Sequence, residues 1–260
     1  MATEQRTVLI SGSSIGKGLL QHYLIQANTT VIAAVRNPSG KDAQNLFELP
    51  TGEKSRLITV KIDSALPYDA RNAIAALQYQ HEISHIDVVV ACAGICDHLL
   101  PVSEIDVDEL TRHMETNTYG VLRLFQATLP LLKAAKAPKF VCISSRLGSI
   151  SLSAKDGAYT GTYGISKASV NYAVTKIGAE NDWLVAFTID PGFVQTDMGN
   201  RGAEFAGLDQ APNTVEESVE GIAKEIEDAT REKCLGSFRT FDGETLPCFN
   251  YIALYASYLP

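Results

Sequence analysis

Short runs of β-branched and apolar residues alternate along the whole chain with longer segments whose apolar side chains recur every three or four positions. That alternation constrains the fold most, because it demands parallel strands joined by helical crossovers. The runs predict strands at 7–11, 30–35, 57–62, 86–91, 139–144, 184–190 and 236–241, and the intervening segments predict helices at about 16–27, 68–82, 106–135, 162–180 and 214–229. Asp87-Val88-Val89-Val90 and Phe140-Val141-Cys142-Ile143 are apolar without a polar alternate. Such strands are covered on both faces. The expectation is an α/β chain with a doubly wound, seven-stranded parallel sheet and helices on both sides. No repeat, low-complexity segment or linker divides it, so residues 1–260 read as a single domain. Two stretches, 149–161 and 197–212, are long for connections and predict loops that shape a pocket.

Composition enters where it excludes partners. With 45% hydrophobic and 20% charged residues in 260, the chain can bury a sizeable core. A net charge of -8 without a basic cluster argues against nucleic acid and anionic membrane surfaces, which are held by clustered Lys and Arg. The N-terminus has no charged-then-apolar leader, and apolar runs such as Val88 to Ala93 fall short of a bilayer span. A cytoplasmic protein is expected. Cys92, Cys96, Cys142, Cys234 and Cys248 are scattered without metal-ligand spacing, so they read as buried free thiols.

The first strand runs into Ser11-Gly12-Ser13-Ser14-Ile15-Gly16-Lys17-Gly18 and then a helix. Strand, glycine turn and helix in that order suit a pyrophosphate: glycine allows close backbone approach, and a helix N-terminus offers free N–H groups. Gly12, Ser14, Ile15, Gly16 and Gly18 are the candidate contacts. The end of the second strand, Ala34-Val35-Arg36-Asn37, lacks the acid that binds a ribose 2′-hydroxyl. Arg36 could pair there with a 2′-phosphate, which favours NADPH. Lys17 either adds charge or faces solvent.

Tyr163-Gly164-Ile165-Ser166-Lys167 puts a phenol and an ammonium on one helical face. Around it, in order, stand the glycine turn, Asp63 after the third strand, Ala91-Cys92-Ala93-Gly94 after the fourth, Asn117, Ile143-Ser144-Ser145-Arg146-Leu147-Gly148 after the fifth, and Asp190-Pro191-Gly192-Phe193-Val194-Gln195-Thr196 after the sixth. Together these resemble the short-chain dehydrogenases/reductases over residues 7 to about 245. Two departures stand out: Cys92 occupies a position where many members carry Asn, and the Ser145 to Tyr163 interval is about five residues longer than the commonest form. The longer interval, the string Ser144 to Ile150 and the ending Phe241-Asp242-Gly243-Glu244-Thr245-Leu246-Pro247 are similar to fungal norsolorinic acid ketoreductases.

The resemblance implies a Rossmann-type sheet and an NADP(H)-dependent reductase of carbonyl groups. Tyr163 would be the proton donor, and Lys167 would favour its phenolate and bind the nicotinamide ribose. Ser145 would hydrogen-bond the substrate oxygen, with Ser144 as its rival. Asn117 would hold a relay water, or else it is a polar residue at a helix kink. Asp63 and Ser64 would meet the adenine, Ala93 and Gly94 would line the dinucleotide, and Pro191, Gly192, Val194 and Thr196 would grip its carboxamide. Segments 95–103, 149–161 and 193–212 should frame the substrate. Tyr159, Phe193, Met198, Phe205 and Leu208 make that space apolar and suit a hydrophobic or aromatic, polyketide-like ketone. Oxidation of an alcohol would use the same residues, and a regulator that binds dinucleotide without turnover is the non-enzymatic alternative. A homodimer or homotetramer is expected by the same resemblance. His22, His81, His85, His98 and His113 are dispersed and carry no assigned chemistry.

Overall fold

The structure, a computed structural model, describes residues 5–12, 14–156 and 159–248. Its strands are β1 (Arg6–Ser11), β2 (Thr29–Val35), β3 (Arg56–Lys61), β4 (Val88–Ala91), β5 (Lys139–Ile143), β6 (Val185–Asp190), β7 (Phe238–Thr240) and β8 (Thr245–Leu246). They form one sheet in the order β3-β2-β1-β4-β5-β6-β7-β8. All neighbours are parallel except β7 and β8, which pair antiparallel. The seven expected strands are therefore present, and a two-residue eighth is added at the edge. It follows β7 after a tight return at Gly243, where φ is +92°, so the pairing is a local hairpin that hydrophobic periodicity over two residues could not announce.

The helices are α1 (Ser14–Leu24), α2 (Lys41–Gln44), α3 (Asp69–His81), α4 (Val107–Met114), α5 (Gly120–Lys133), α6 (Gly161–Glu180), α7 (Asp197–Phe205), α8 (Val215–Glu227) and α9 (Arg231–Cys234). Helices α4 and α5 are joined without a break by a π turn, Glu115–Tyr119. The segment expected as a loop at 197–212 opens as α7. Gly199 and Gly202 weaken its helical signal, but Thr196 accepts a hydrogen bond from Gly199 N at 3.0 Å and caps the helix. Space requires glycine at 199, since a Cβ there would lie 1.9 Å from Val194 O.

Alternate side chains of each strand enter two cores. Leu9, Ile32, Ile58, Val89, Phe140 and Ala186 pack under α3, α5 and α6. Val8, Ile10, Val31, Val90, Val141 and Phe187 pack under α1 and α8. Burial on both faces is why these strands lack polar alternates. The strand order reverses between β1 and β4, which opens a crevice at the carboxyl ends of the parallel strands.

Candidate active site

The residues singled out from the sequence follow the carboxyl ends of β1, β4, β5 and β6, and the packing at each end is specific. After β1, Gly12 has φ +94°, and a Cβ on it would lie 2.9 Å from Ala93 N. Only glycine lets the two strand ends approach so closely. The Ser11 hydroxyl accepts from Cys92 N at 3.1 Å and Ala93 N at 3.3 Å, tying the glycine turn to the loop after β4. The sequence reading passed over Ser11 in this role. Cys92, in place of the more usual Asn, is buried against the backbone of Gly16, and burial pushes its thiol up to about 12. It is therefore a packing thiol rather than a thiolate. Gly18 faces the opposite way: a Cβ there would lie 2.6 Å from Val219 Cγ2 of α8. Ser14, with φ 31°, and Ile15 begin α1 at the mouth of the crevice. This glycine cradle over a helix N-terminus fits a dinucleotide pyrophosphate. Arg36 is exposed at the end of β2 and has no partner among the described residues, which leaves its guanidinium free for an anion.

Behind Gly94 the groups converge. A Cβ on Gly94 would lie 3.3 Å from Asn117 Oδ1 and 3.6 Å from Lys167 Nζ. Asn117 occupies the π turn between α4 and α5 and is wholly buried. Its Oδ1 accepts from Ile95 N at 2.8 Å, while its Nδ2 donates to Ile95 O and to Ser166 Oγ, both at 2.9 Å. The kink and the polar site thus coincide, as π turns at functional positions often arrange. Lys167 is buried and donates to Ile143 O at 2.8 Å. Burial lowers its pKa.

The two serines part company. Ser144 donates to Asn171 Oδ1 at 2.5 Å inside the core. Ser145 is the cap of the short 3-10 turn Arg146–Gly148 and accepts from Leu147 N at 3.2 Å. Its hydroxyl lies beside the phenol of Tyr163 and favours the phenolate. Gly148 and Gly164 seat this turn on α6: Cβ atoms there would lie 2.7 Å from Lys167 and 2.9 Å from Leu147 O.

Lys167 Nζ stands 5.6 Å from the centroid of the phenol ring, yet the largest influence on the phenol is burial, which raises its pKa. Lys167 Nζ itself is engaged with Ile143 O at the end of β5. Asp190, absent from the sequence-derived set, joins two loops. Its Oδ1 accepts from Arg146 N at 2.8 Å and its Oδ2 from Gly192 N at 3.3 Å. Gly192, with φ +82°, turns the chain after Pro191.

Elsewhere the placement is looser. Asp63 accepts from Ala65 N at 3.0 Å in a local turn, and Ser64 packs on Gly120, where a Cβ would lie 2.6 Å from its own. Val194 is buried under α7, and Thr196 spends its hydroxyl on the α7 cap. Tyr159 and Phe205 meet edge to face at 6.0 Å, bringing the 149–161 segment against α7. Phe193 and Leu208 are exposed and Met198 is half-buried on that side. A cavity of about 420 Å³ is lined by Leu100, Ile150, Tyr159 and Ile165 among others. It draws on two of the three segments expected to frame the substrate, and no residue of 193–212 lines it.

The family model for short chain dehydrogenase matches residues 6–206. The chain belongs to the short-chain dehydrogenase family. It is therefore an oxidoreductase of the CH–OH/C=O pair that works with a nicotinamide dinucleotide. A norsolorinic acid ketoreductase of Dothistroma septosporum is 44% identical over 252 residues, covering 94% of this chain and 93% of that protein. Another from Emericella nidulans is 40% identical and covers 95% of each. Among solved structures, an NADPH-bound carbonyl reductase from chicken fatty liver superposes with a TM-score of 0.80 at 26% identity, covering 94% of this chain and all of that one. Among the described residues no helix is long and apolar enough to cross a membrane, and no cluster of residues suits a metal ion.

Proposed function

We propose that this short-chain dehydrogenase is an NADPH-dependent ketoreductase of hydrophobic, aromatic ketones, with Tyr163 as the proton donor. The observation that carries the reading is the convergence of Ser145, Tyr163, Lys167 and Asn117 behind Gly94 at the carboxyl ends of β4 and β5. When bound, the dinucleotide supplies the hydride to the carbonyl carbon. Negative charge then builds on the carbonyl oxygen. The Ser145 hydroxyl hydrogen-bonds that oxygen, and the Tyr163 phenol gives it a proton, completing the alcohol. Burial raises the pKa of the phenol, which is in keeping with its role as proton donor in the reductive direction. Lys167 returns the proton to the phenolate and is itself reprotonated from solvent, while Asn117 fixes the loop beside it through Ile95.

Arg36 supports NADPH over NADH, being an unpaired guanidinium where an acid would otherwise stand. The aromatic side chains of Tyr159, Phe193 and Phe205 support an apolar ketone. The norsolorinic acid ketoreductases among the relatives point to polycyclic polyketide ketones as the class to try first. The test is NADPH oxidation with a panel of aromatic ketones by the parent and by Tyr163→Phe. The variant is expected to lose turnover by about 10²- to 10⁴-fold while still binding NADPH. Equal rates would reject the assignment.

A further inference from the structure

The loop that follows Gly94 has no strand beside it, yet three consecutive residues are held by other elements. Ile95 is gripped at both its N–H and its C=O by Asn117. Cys96 O accepts from Arg201 Nη2 of α7 at 3.3 Å. Asp97 N donates to His113 Nε2 at 3.3 Å. His113 lies one turn before Asn117, on the last turn of α4, and is completely buried. Its other ring nitrogen, Nδ1, bonds Glu109 O at 3.0 Å. A backbone amide can only donate and a carbonyl can only accept, so the ring carries its proton on Nδ1 and presents Nε2 as an acceptor. A residue that merely filled the core would need neither nitrogen in register. Here each has a partner, and the one on the loop side meets an N–H group that no strand could serve.

What this loop presents to the site makes its register consequential. Gly94 backs directly on Asn117 and Lys167. After burial, Cys96 is the largest influence that raises the Tyr163 phenol, and burial pushes its own thiol up to about 11. The thiol is therefore an uncharged surface beside the phenol. A shift of the Asp97 amide would move Cys96 relative to Tyr163.

We infer that His113 is a positioning residue that, with Asn117 one turn away, sets the register of the 95–97 loop as one wall of the ketone site. The inference rests on the reading of Tyr163 as the reaction centre. Two near-isosteres separate its parts. His113→Asn keeps a donor where Nδ1 stands and removes the acceptor for Asp97, whereas His113→Gln keeps an acceptor near Nε2 and removes the donor to Glu109 O. With NADPH-loaded protein, hydrogen exchange at the Asp97 amide is measured, together with kcat and KM for whichever aromatic ketone of the panel is reduced fastest. His113→Asn should speed exchange at Asp97 by about tenfold or more and raise KM by about fivefold to tenfold, with kcat and NADPH affinity within about threefold of the parent. His113→Gln should restore both protection and KM. Unchanged exchange in His113→Asn, or equal damage by both substitutions, would overturn the inference. So would faster exchange with an unchanged KM. If His113→Asn does not fold, His113→Gln alone decides: a parental KM supports the acceptor role and a raised one overturns it. Failure of the underlying reading would look different, because Tyr163→Phe would keep turnover while Asp97 exchange still followed the acceptor at 113.

Discussion

The floor and the rim of the site are built on opposite terms. At the floor, Asn117, Ser144, Ser166, Lys167 and Asp190 are buried, and each polar group has a named partner in a strand end or helix. At the rim, Tyr159, Phe193, Phe205 and Leu208 are exposed, and among the described residues the rings of Tyr159 and Phe205 meet across the two rim segments. A buried polar group without a partner costs about 1–3 kcal/mol, so the floor tolerates little change. Exposed aromatic side chains carry no such penalty, so the rim can vary with the substrate while the chemistry below stays put.

The sharpest way to break this contrast lies in the adjacent serines. Ser145→Ala should lower kcat about a hundredfold with little loss of stability, because the hydroxyl faces the phenol and the developing charge. Ser144→Ala should do the reverse, leaving kcat near the parent value but destabilising the fold by about 1–3 kcal/mol as Asn171 Oδ1 loses its donor. Steady-state rates with thermal melts of both variants check this, and a catalytic defect confined to Ser144→Ala would invert the picture. A smaller effect is expected at the dinucleotide edge. Arg36→Ala should raise KM for NADPH by roughly tenfold to a hundredfold, the value of a charged hydrogen bond, and leave KM for NADH nearly unchanged. An equal change for both nucleotides would remove Arg36 from the 2′-phosphate. The smallest belongs to the rim. Phe205→Ala removes a ring from the rim; if that ring meets an aromatic ketone with about 0.5–1.5 kcal/mol, KM should rise about threefold to tenfold while NADPH binding holds and stability falls by no more than the Tyr159 contact is worth. A large drop in stability would place Phe205 with the floor.

Legibility in the sequence followed the same division. The strands of the sheet could be read because burial on both faces leaves uninterrupted apolar runs such as Val88-Val89-Val90. The floor could be read because its chemistry needs particular residue types at short, local spacings, as in Tyr163 to Lys167. Helix α7 was hidden by Gly199 and Gly202, and the smallness of Gly199 answers to Val194 O rather than to helix propensity. The only local clue was Thr196 followed by Asp197, a cap and an acidic first turn. His113 and Asp190 were passed over for another reason: their partners lie 16 and 44 residues away along the chain.

By itself, the sequence determined the strand and helix periods, the glycine turn and the phenol and lysine one helical turn apart, since each depends on neighbours within a few residues. The tertiary structure decided which of two adjacent serines lies beside the phenol and that burial raises the phenol's pKa. It also decided which backbone groups of the 95–97 loop are held, and by what. Those outcomes depend on solvent exclusion and on contacts between strand ends far apart in the chain, and neither exists until the sheet and its two helical layers have closed around them.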